Sequence, residues 1–480
     1  MSTFKGKAWH RHAAAAASFI GLVVAAQAQT YAIDFVDTLG QGAAMDPTGR
    51  VIAGTTTLPP PCATCPPVFD VPALWVDGRR QLLSLPDGAA YLSFAGINAN
   101  GWVTGSAMRL DATGGAGLVW IPRADGSGHD AQPIGQLPGF QDAMPAGIDA
   151  SNRVYGLART WFVAQDPFIW TPAGGLQSLT ALGYPADPPA AVSPGGTLAT
   201  ATLTYRFGAP GSVSAVASPP AGFHGNTSTL TGAVNDGGMR ASFLLSTSGT
   251  SQGYRYLARY SDEAGWQVLA GPVASSVRYG VGGIDSAGTL TATLIGNGYV
   301  AYGPAGPAEV LSAHVSPAYP EASVQEPQDI AAGGSILAQV LIGRSARMVK
   351  LVPVTPCTGA ACLRVEAIAM TGRMLSEPGQ PPGQCTPGAR NEVTARLSVV
   401  DASGVPVRGA TLTGRFLDDY YLDAPVTLKT NRKGQAVAGH SGEACVGAVA
   451  FLVEGVQKPG MALDRTAGQL TAYVIPQPRR

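Results

Sequence analysis

Ile97–Ala107 reads INANGWVTGSA. An apolar residue leads, a polar turn closes on Gly101, and a short strand follows in which Val103 and the small Gly105 share one face, because side chains alternate along a strand. The pattern returns six more times. Its leading residues are Met45, Ile97, Ile148, Val192, Val234, Ile284 and Ile330, at intervals of 52, 51, 44, 42, 50 and 46. A period of 40–50 residues fits either a propeller blade or a long helical repeat. The 62 Gly and 38 Pro of this 480-residue chain argue against helices and for turns joining short strands.

The turns read DPTG (46–49), NANG (98–101), DASN (149–152), SPGG (193–196), NDGG (235–238), DSAG (285–288) and AAGG (331–334). Their last position is Gly in six copies and Asn152 in the other, the choice a left-handed backbone makes. Asp, Asn or Ser opens six of the turns, and these side chains bond back to the backbone two residues on. Two residues past the turn stand Val51, Val103, Val154, Leu198, Arg240, Leu290 and Ile336. Four past it stand Ala53, Gly105, Gly156, Thr200, Ser242, Ala292 and Ala338. A face that narrows from branched to small is expected of strands converging on the axis of a closed ring.

A third strand carries Trp75, Trp120 and Trp170, with Tyr256-Leu257 and Tyr299-Val300 as weaker copies. These aromatics read as packing between blades rather than as sugar-stacking platforms. A fourth, Leu-rich strand follows at 81–85, 133–137, 176–179, 266–269 and 308–311. The last copy lacks one, and the orphan segment 31–39 supplies it. The expected architecture is therefore all-β: a seven-bladed β-propeller over 31–355, closed by the N-terminal strand 31–39 so that no sheet edge stays open.

The repeats resemble an extracellular family of exported bacterial proteins named for its His-Ala-Phe tripeptide, the HAF repeats. Ala95-Gly96-Ile97-Asn98 through Gly105 with Trp120, and Ala146-Gly147-Ile148-Asp149 through Gly156 with Trp170, carry the resemblance. The naming tripeptide itself is not kept, and the family offers no catalytic residues to transfer. Past residue 355 the period stops. Val399–Thr411, Thr430–Gly434 and Phe451–Val453 resemble a bacterial immunoglobulin-like or fibronectin-like domain, which implies a β-sandwich over 356–480 acting as an accessory to its neighbour.

Lys5, Lys7 and Arg11 precede the apolar run 13–26, which ends in Ala26-Gln27-Ala28. This is the pattern of a secretory signal peptide, 1–28, cleaved after Ala28. Cleavage takes the 31 basic and 31 acidic residues to 28 and 31, a charge of −3. No later apolar run is long enough for a span, so a secreted or periplasmic monomer with no membrane span is expected. No Lys/Arg block points to nucleic acid. Six cysteines in an exported chain favour disulfides. Cys62–Cys65, Cys357–Cys362 and Cys385–Cys445 form one of 15 possible connectivities. Zinc at Cys62 and Cys65 is the rival reading for that pair.

No catalytic, cofactor-binding or metal-ligating residue can be assigned, and no cofactor is expected. His129, His224, His314 and His440 fall in different repeats or domains. Gly249-Thr-Ser251-Gln-Gly253 matches a nucleophile elbow but lacks its strand–helix setting. Asp46, Asp149 and Asp285 recur at one repeat position as turn caps, with an acidic ring or a calcium site as the functional alternative. Asp418-Asp419-Tyr420-Tyr421 reads as a surface segment that has the chemistry to hold a sugar or cation. The expected function is non-catalytic recognition of a glycan, a protein or a cell surface through propeller loops, long at 56–72 and 205–229. The alternative is an extracellular hydrolase or lyase with its site at the axis.

Overall fold

In a computed structural model, the described residues are 29–37, 40–58, 68–86, 89–109, 115–160, 165–225, 232–247, 253–274, 279–375, 390–418, 424–443 and 448–478. Cys62, Cys65, Cys385, Cys445, residues 249–252 and Asp419-Tyr420-Tyr421 lie outside them, as does part of each long insert. The architecture is all-β, with no α-helix among the described residues.

Seven small antiparallel sheets succeed one another along residues 30–354. The first holds the strands Gln41–Met45, Val51–Leu58, Val68–Val76 and Arg79–Leu82, paired in chain order. The second, third, fourth and sixth repeat this order. The fourth has short strands, such as Ala191–Val192 and Thr197–Ala199. In the fifth, Phe223–Gly225 and Ala233–Val234 both pair with Arg240–Ser246. The seventh draws on both ends of the region: Thr30–Asp37 pairs antiparallel with Ser345–Val354, from Thr30 opposite Val354 to Asp37 opposite Met348. The inner strand of each sheet touches that of the next, and the seventh touches the first, so the contacts run in a closed cycle.

The turns hold the repeat geometry. Gly49, Gly101, Asn152, Gly196, Gly238, Gly288 and Gly334 all have φ between 61° and 82°, the left-handed region the composition of that position calls for. The opening side chains cap the turn at two distances. Asn98 Oδ1 accepts from the N–H of Asn100 and of Trp102, and Asp149 Oδ1 from that of Ser151 and of Arg153. Ser193, Asn235 and Asp285 each take the N–H four residues on.

Pairing corrects three details of the repeat alignment. Met45 faces Ile52, and Ile52 faces Trp75, just as Ile97 faces Val103 and Val103 faces Trp120. The first copy therefore carries one extra residue, and Ile52 and Gly54, not Val51 and Ala53, are its apolar and small positions. In the fourth, fifth and sixth sheets the place of the tryptophans belongs to Tyr205, Tyr260 and Ala301, not to Tyr256 or Tyr299. The cause of the small position also differs from crowding at the axis. The inner strand bulges opposite it in the first, second, third, sixth and seventh sheets. A Cβ on Gly54, Gly105 or Gly156 would lie 2.1–2.3 Å from the backbone oxygen of Gln41, Ser93 or Met144. The strand that converges on the axis is the inner one, where Ala and Gly precede the leading residue.

Trp75, Trp120 and Trp170 are buried, as core packing requires. Trp75 Nε1 donates to Asp37 Oδ2 at 2.9 Å and Trp120 Nε1 to Ser84 O at 2.9 Å, so each ring buries its area without orphaning its N–H.

Beyond Val354, two further sheets share one buried cluster. One is built on Cys362–Leu375, Arg390–Asp401 and Gln435–Glu443; the other on Thr411–Asp418, Ala424–Lys429, Val449–Gln457 and Thr471–Val474. Burial alternates along Arg390–Val399, with Val393, Ala395, Leu397 and Val399 inside. Cys357 and Cys362 form a disulfide. This part grips the ring where the ring closes. Arg465 donates to Ile33 O at 2.7 Å and pairs with Asp34 at 2.8 Å. The Arg415 guanidinium covers the Phe35 ring at 3.8 Å, and the buried Arg347 reaches Asp418 O at 2.5 Å.

Candidate functional site at the axis

The inner strands enclose a cavity of about 550 Å³ to which all seven sheets contribute. Its wall is set by the two residues before each leading residue. These are Ala43-Ala44, Ala95-Gly96, Ala146-Gly147, Ala190-Ala191, Gly232-Ala233 and Gly282-Gly283 in the first six sheets. Close approach explains the pattern: a Cβ on Gly147 would sit 2.8 Å from Val192 Cβ, and one on Gly283 would sit 2.7 Å from Asp329 Oδ1.

The seventh sheet breaks it with Gln328-Asp329. Asp329 Oδ2 accepts from Met45 N–H and Oδ1 from Ile330 N–H, each at 2.8 Å. The first of these bonds ties the seventh sheet to the first. The residue as a whole stays partly exposed to the cavity, yet the enclosing strands desolvate its carboxyl and push it up to about 7 against the two N–H donors. Gln328 Oε1 is buried without a hydrogen-bond partner, and Gln328 also borders a second cavity of about 230 Å³. Sequence reasoning passed over this pair. The signal was present, since no other copy places a large polar residue there.

The mouth of the cavity is made by the turns, and they interlock. Asn98 Nδ2 donates to Asp149 O and to Asn152 Oδ1, both at 2.8 Å. Ala150 N–H reaches Pro194 O, Gly195 N–H reaches Asp236 Oδ1, Asn235 Nδ2 reaches Asp285 O, and Ala332 N–H reaches Pro47 O. Asp46 takes the N–H of Thr48, Arg50 and Val51. Asp149 also holds Arg153 at 2.6 Å and the Tyr155 hydroxyl at 2.9 Å, and burial beside that carboxylate raises the Tyr155 phenol. Burial likewise raises the Asp285 carboxyl, against the N–H bonds it receives. These acids work as turn caps, and no group of three His, Cys, Asp or Glu suited to a metal ion forms among the described residues.

The four histidines stay apart. His129 contacts Gly101 O at 3.1 Å and its burial lowers its basicity. His224 pairs through Phe223–Gly225 in the fifth sheet. His314 lies 2.7 Å from Glu309, and His440 stacks on Phe416, 3.7 Å from Asp418. None of the four borders the axial cavity.

No family model matches the chain, and no curated protein matches it. Among solved structures the chain is similar to a gluconolactonase from Xanthomonas campestris, at 11% identity over 68% of this chain and 91% of that one, with a TM-score of 0.34. It is similar to a luciferin-regenerating enzyme at 7% identity over 68% and 96%, with a TM-score of 0.33. It is also similar to an acylaminoacyl peptidase from Pyrococcus horikoshii at 7% identity over 77% and 57%, with a TM-score of 0.36. At these scores no residue or substrate is carried across.

Proposed function

We propose that this chain is an exported recognition protein of the HAF-repeat type, a seven-bladed β-propeller over 31–355 with an immunoglobulin-like sandwich over 356–480. In this reading residues 1–28 are removed on export. The monomer then works in the periplasm or outside the cell, holding a glycan terminus or another small polar group in the axial cavity while the outer loops add contacts. The supporting observation is the cavity itself, bordered by every inner strand and polar on the side of the fifth, sixth and seventh sheets. A concave, largely preformed site with few polar groups is the usual form of a ligand pocket. The test is a glycan-array screen of the full exported chain, repeated with Ala146→Trp in the cavity wall. Binding by the parent that the variant loses supports the reading; binding that the variant keeps moves the site to the loops; no binding removes it.

One observation favours a second reading, a hydrolase or lyase acting at the axis. Asp329 stands in the cavity wall, where desolvation pushes its carboxyl up to about 7, the range that suits a general acid or base. The three similar structures carry enzyme names, but likeness at those scores adds no weight. A screen of lactone, ester, peptide and glycoside substrates checks this reading, which requires turnover by the parent and its loss in Asp329→Asn.

A further inference from the structure

Resting on the reading that the axial cavity is the binding site, we propose that its ligand carries a protonated amine, as an amino sugar or a lysine-like side chain does. The polar lining has one sign. Asp236, Asp285 and Asp329 bring carboxyls, Asn235 and Gln328 bring carboxamides, and the lining holds no Lys, Arg or His. No cationic side chain in the lining offsets a carboxylate, and burial holds the carboxyls of Asp285 and Asp329 above their ordinary range despite the N–H donors they receive. An external cation removes that penalty, because opposite charge at close range favours the ionised form.

The acids are fixed in place, and two of the three are not used up. Asp236 accepts from Gly195 N–H at 2.6 Å, Asp285 from Thr289 N–H at 2.8 Å, and Asp329 from Met45 and Ile330 N–H at 2.8 Å. A carboxylate has about four lone-pair sites, so Asp236 and Asp329 keep acceptor capacity, whereas Asp285 is taken up by the N–H groups of Ala287, Gly288 and Thr289 and the Thr289 hydroxyl. An ammonium group brings three donors and no acceptor, the complement of this set. The three carboxyls come from the fifth, sixth and seventh sheets and do not converge into a metal-binding group. A multi-atom organic cation therefore matches their spacing better than a chelated ion.

The experiment is isothermal titration of the full exported chain with glucosamine, lysine methyl ester, glucose, N-acetylglucosamine and gluconate, at low and high salt. The expected result is glucosamine binding about tenfold tighter than glucose, a difference of about 1.4 kcal/mol, and weakening with salt. Binding of lysine methyl ester without glucosamine would identify the amine source as peptide-like rather than sugar-like. Asp329→Asn and Asp236→Asn should each weaken the amine about fivefold. Asp236 is exposed, so its variant keeps the test valid if Asp329→Asn does not fold. Equal or tighter binding of glucose, N-acetylglucosamine or gluconate overturns the inference, as does amine binding that both variants leave unchanged. If the amines fail and the glycan array yields a neutral ligand, the inference falls and the recognition reading stands. If both fail, both fall.

Discussion

Gly156→Ala tests the account of the small repeat position. The new Cβ would lie 2.1 Å from Met144 O and 2.8 Å from Pro145 Cα, both backbone atoms of the bulged inner strand, and 2.6 Å from Phe168 Cζ. Phe168 is fully buried in the sheet's core cluster with Trp170, so its ring has little room to retreat. Overpacking of this kind costs about 1–3 kcal/mol, and contact with backbone rather than a side-chain tip places this site at the upper end. The loss of unfolded-chain freedom on replacing Gly returns about 0.4–1 kcal/mol. The net expectation is a loss of ~2 kcal/mol, a large share of a typical total of about 5–15 kcal/mol. Gly280→Ala is the control, because a Cβ there meets nothing within 4 Å and the backbone is not left-handed. It should be neutral or stabilising by up to ~1 kcal/mol. Urea titration followed by tryptophan fluorescence reads both variants. A Gly156→Ala midpoint at or above that of the parent, or an equal loss in Gly280→Ala, would refute the steric explanation.

Asn152→Gly separates two roles of one residue: if only the left-handed backbone mattered the change would stabilise, but it removes the acceptor of Asn98 and Asn100, so a loss of about 1 kcal/mol in thermal or urea melts is expected. Trp120→Ala should cost about 3–5 kcal/mol by denaturant titration, since the ring is fully buried in the cluster joining the first two sheets. Asp329, whose carboxyl rises to about 7 on folding, contributes stability that is fully present below the unfolded value near 4 and is lost as pH climbs to about 7. Melting temperatures of the parent should therefore fall across pH 4–7 by more than those of Asp329→Asn; parallel curves would exclude the shift. Arg465→Ala should cost about 2 kcal/mol through its charged bonds to Ile33 O and Asp34, and hydrogen exchange should speed up first along 30–37.

The repeat was legible because its turns depend on local chemistry. A left-handed position selects Gly or Asn, and a short acceptor caps the N–H groups that follow, so seven turns announce themselves without knowledge of the fold. Strand register was less legible. Arg50 lengthens the first turn region by one residue, and only the pairing of Ile52 with Trp75 shows that the alignment shifts there. Tyr205 and Tyr260 take tryptophan positions through cross-strand pairing with Leu198 and Arg240, partners no single-strand pattern contains. Arg240, at an otherwise apolar position, is buried with its guanidinium on Thr200 O, Leu203 O and Thr204, and burial lowers it to about 10. The axial wall was readable as six Ala/Gly pairs and one Gln-Asp, but its meaning needed the ring, since the seven pairs meet only in space.

The pairing of Thr30 with Val354 has a consequence for the order of assembly. Six sheets draw all their strands from one stretch of chain and can form as soon as that stretch exists. The seventh waits for a partner more than 300 residues away, and bringing distant segments together costs entropy before any contact rewards it. Closure should thus be the last and slowest event, as folds dominated by distant pairings fold slowly. Until then, one edge of the seventh sheet is open to any extended segment that reaches it, including the first strand of another copy. The protein's window of vulnerability is the interval between completing residue 354 and seating residue 30.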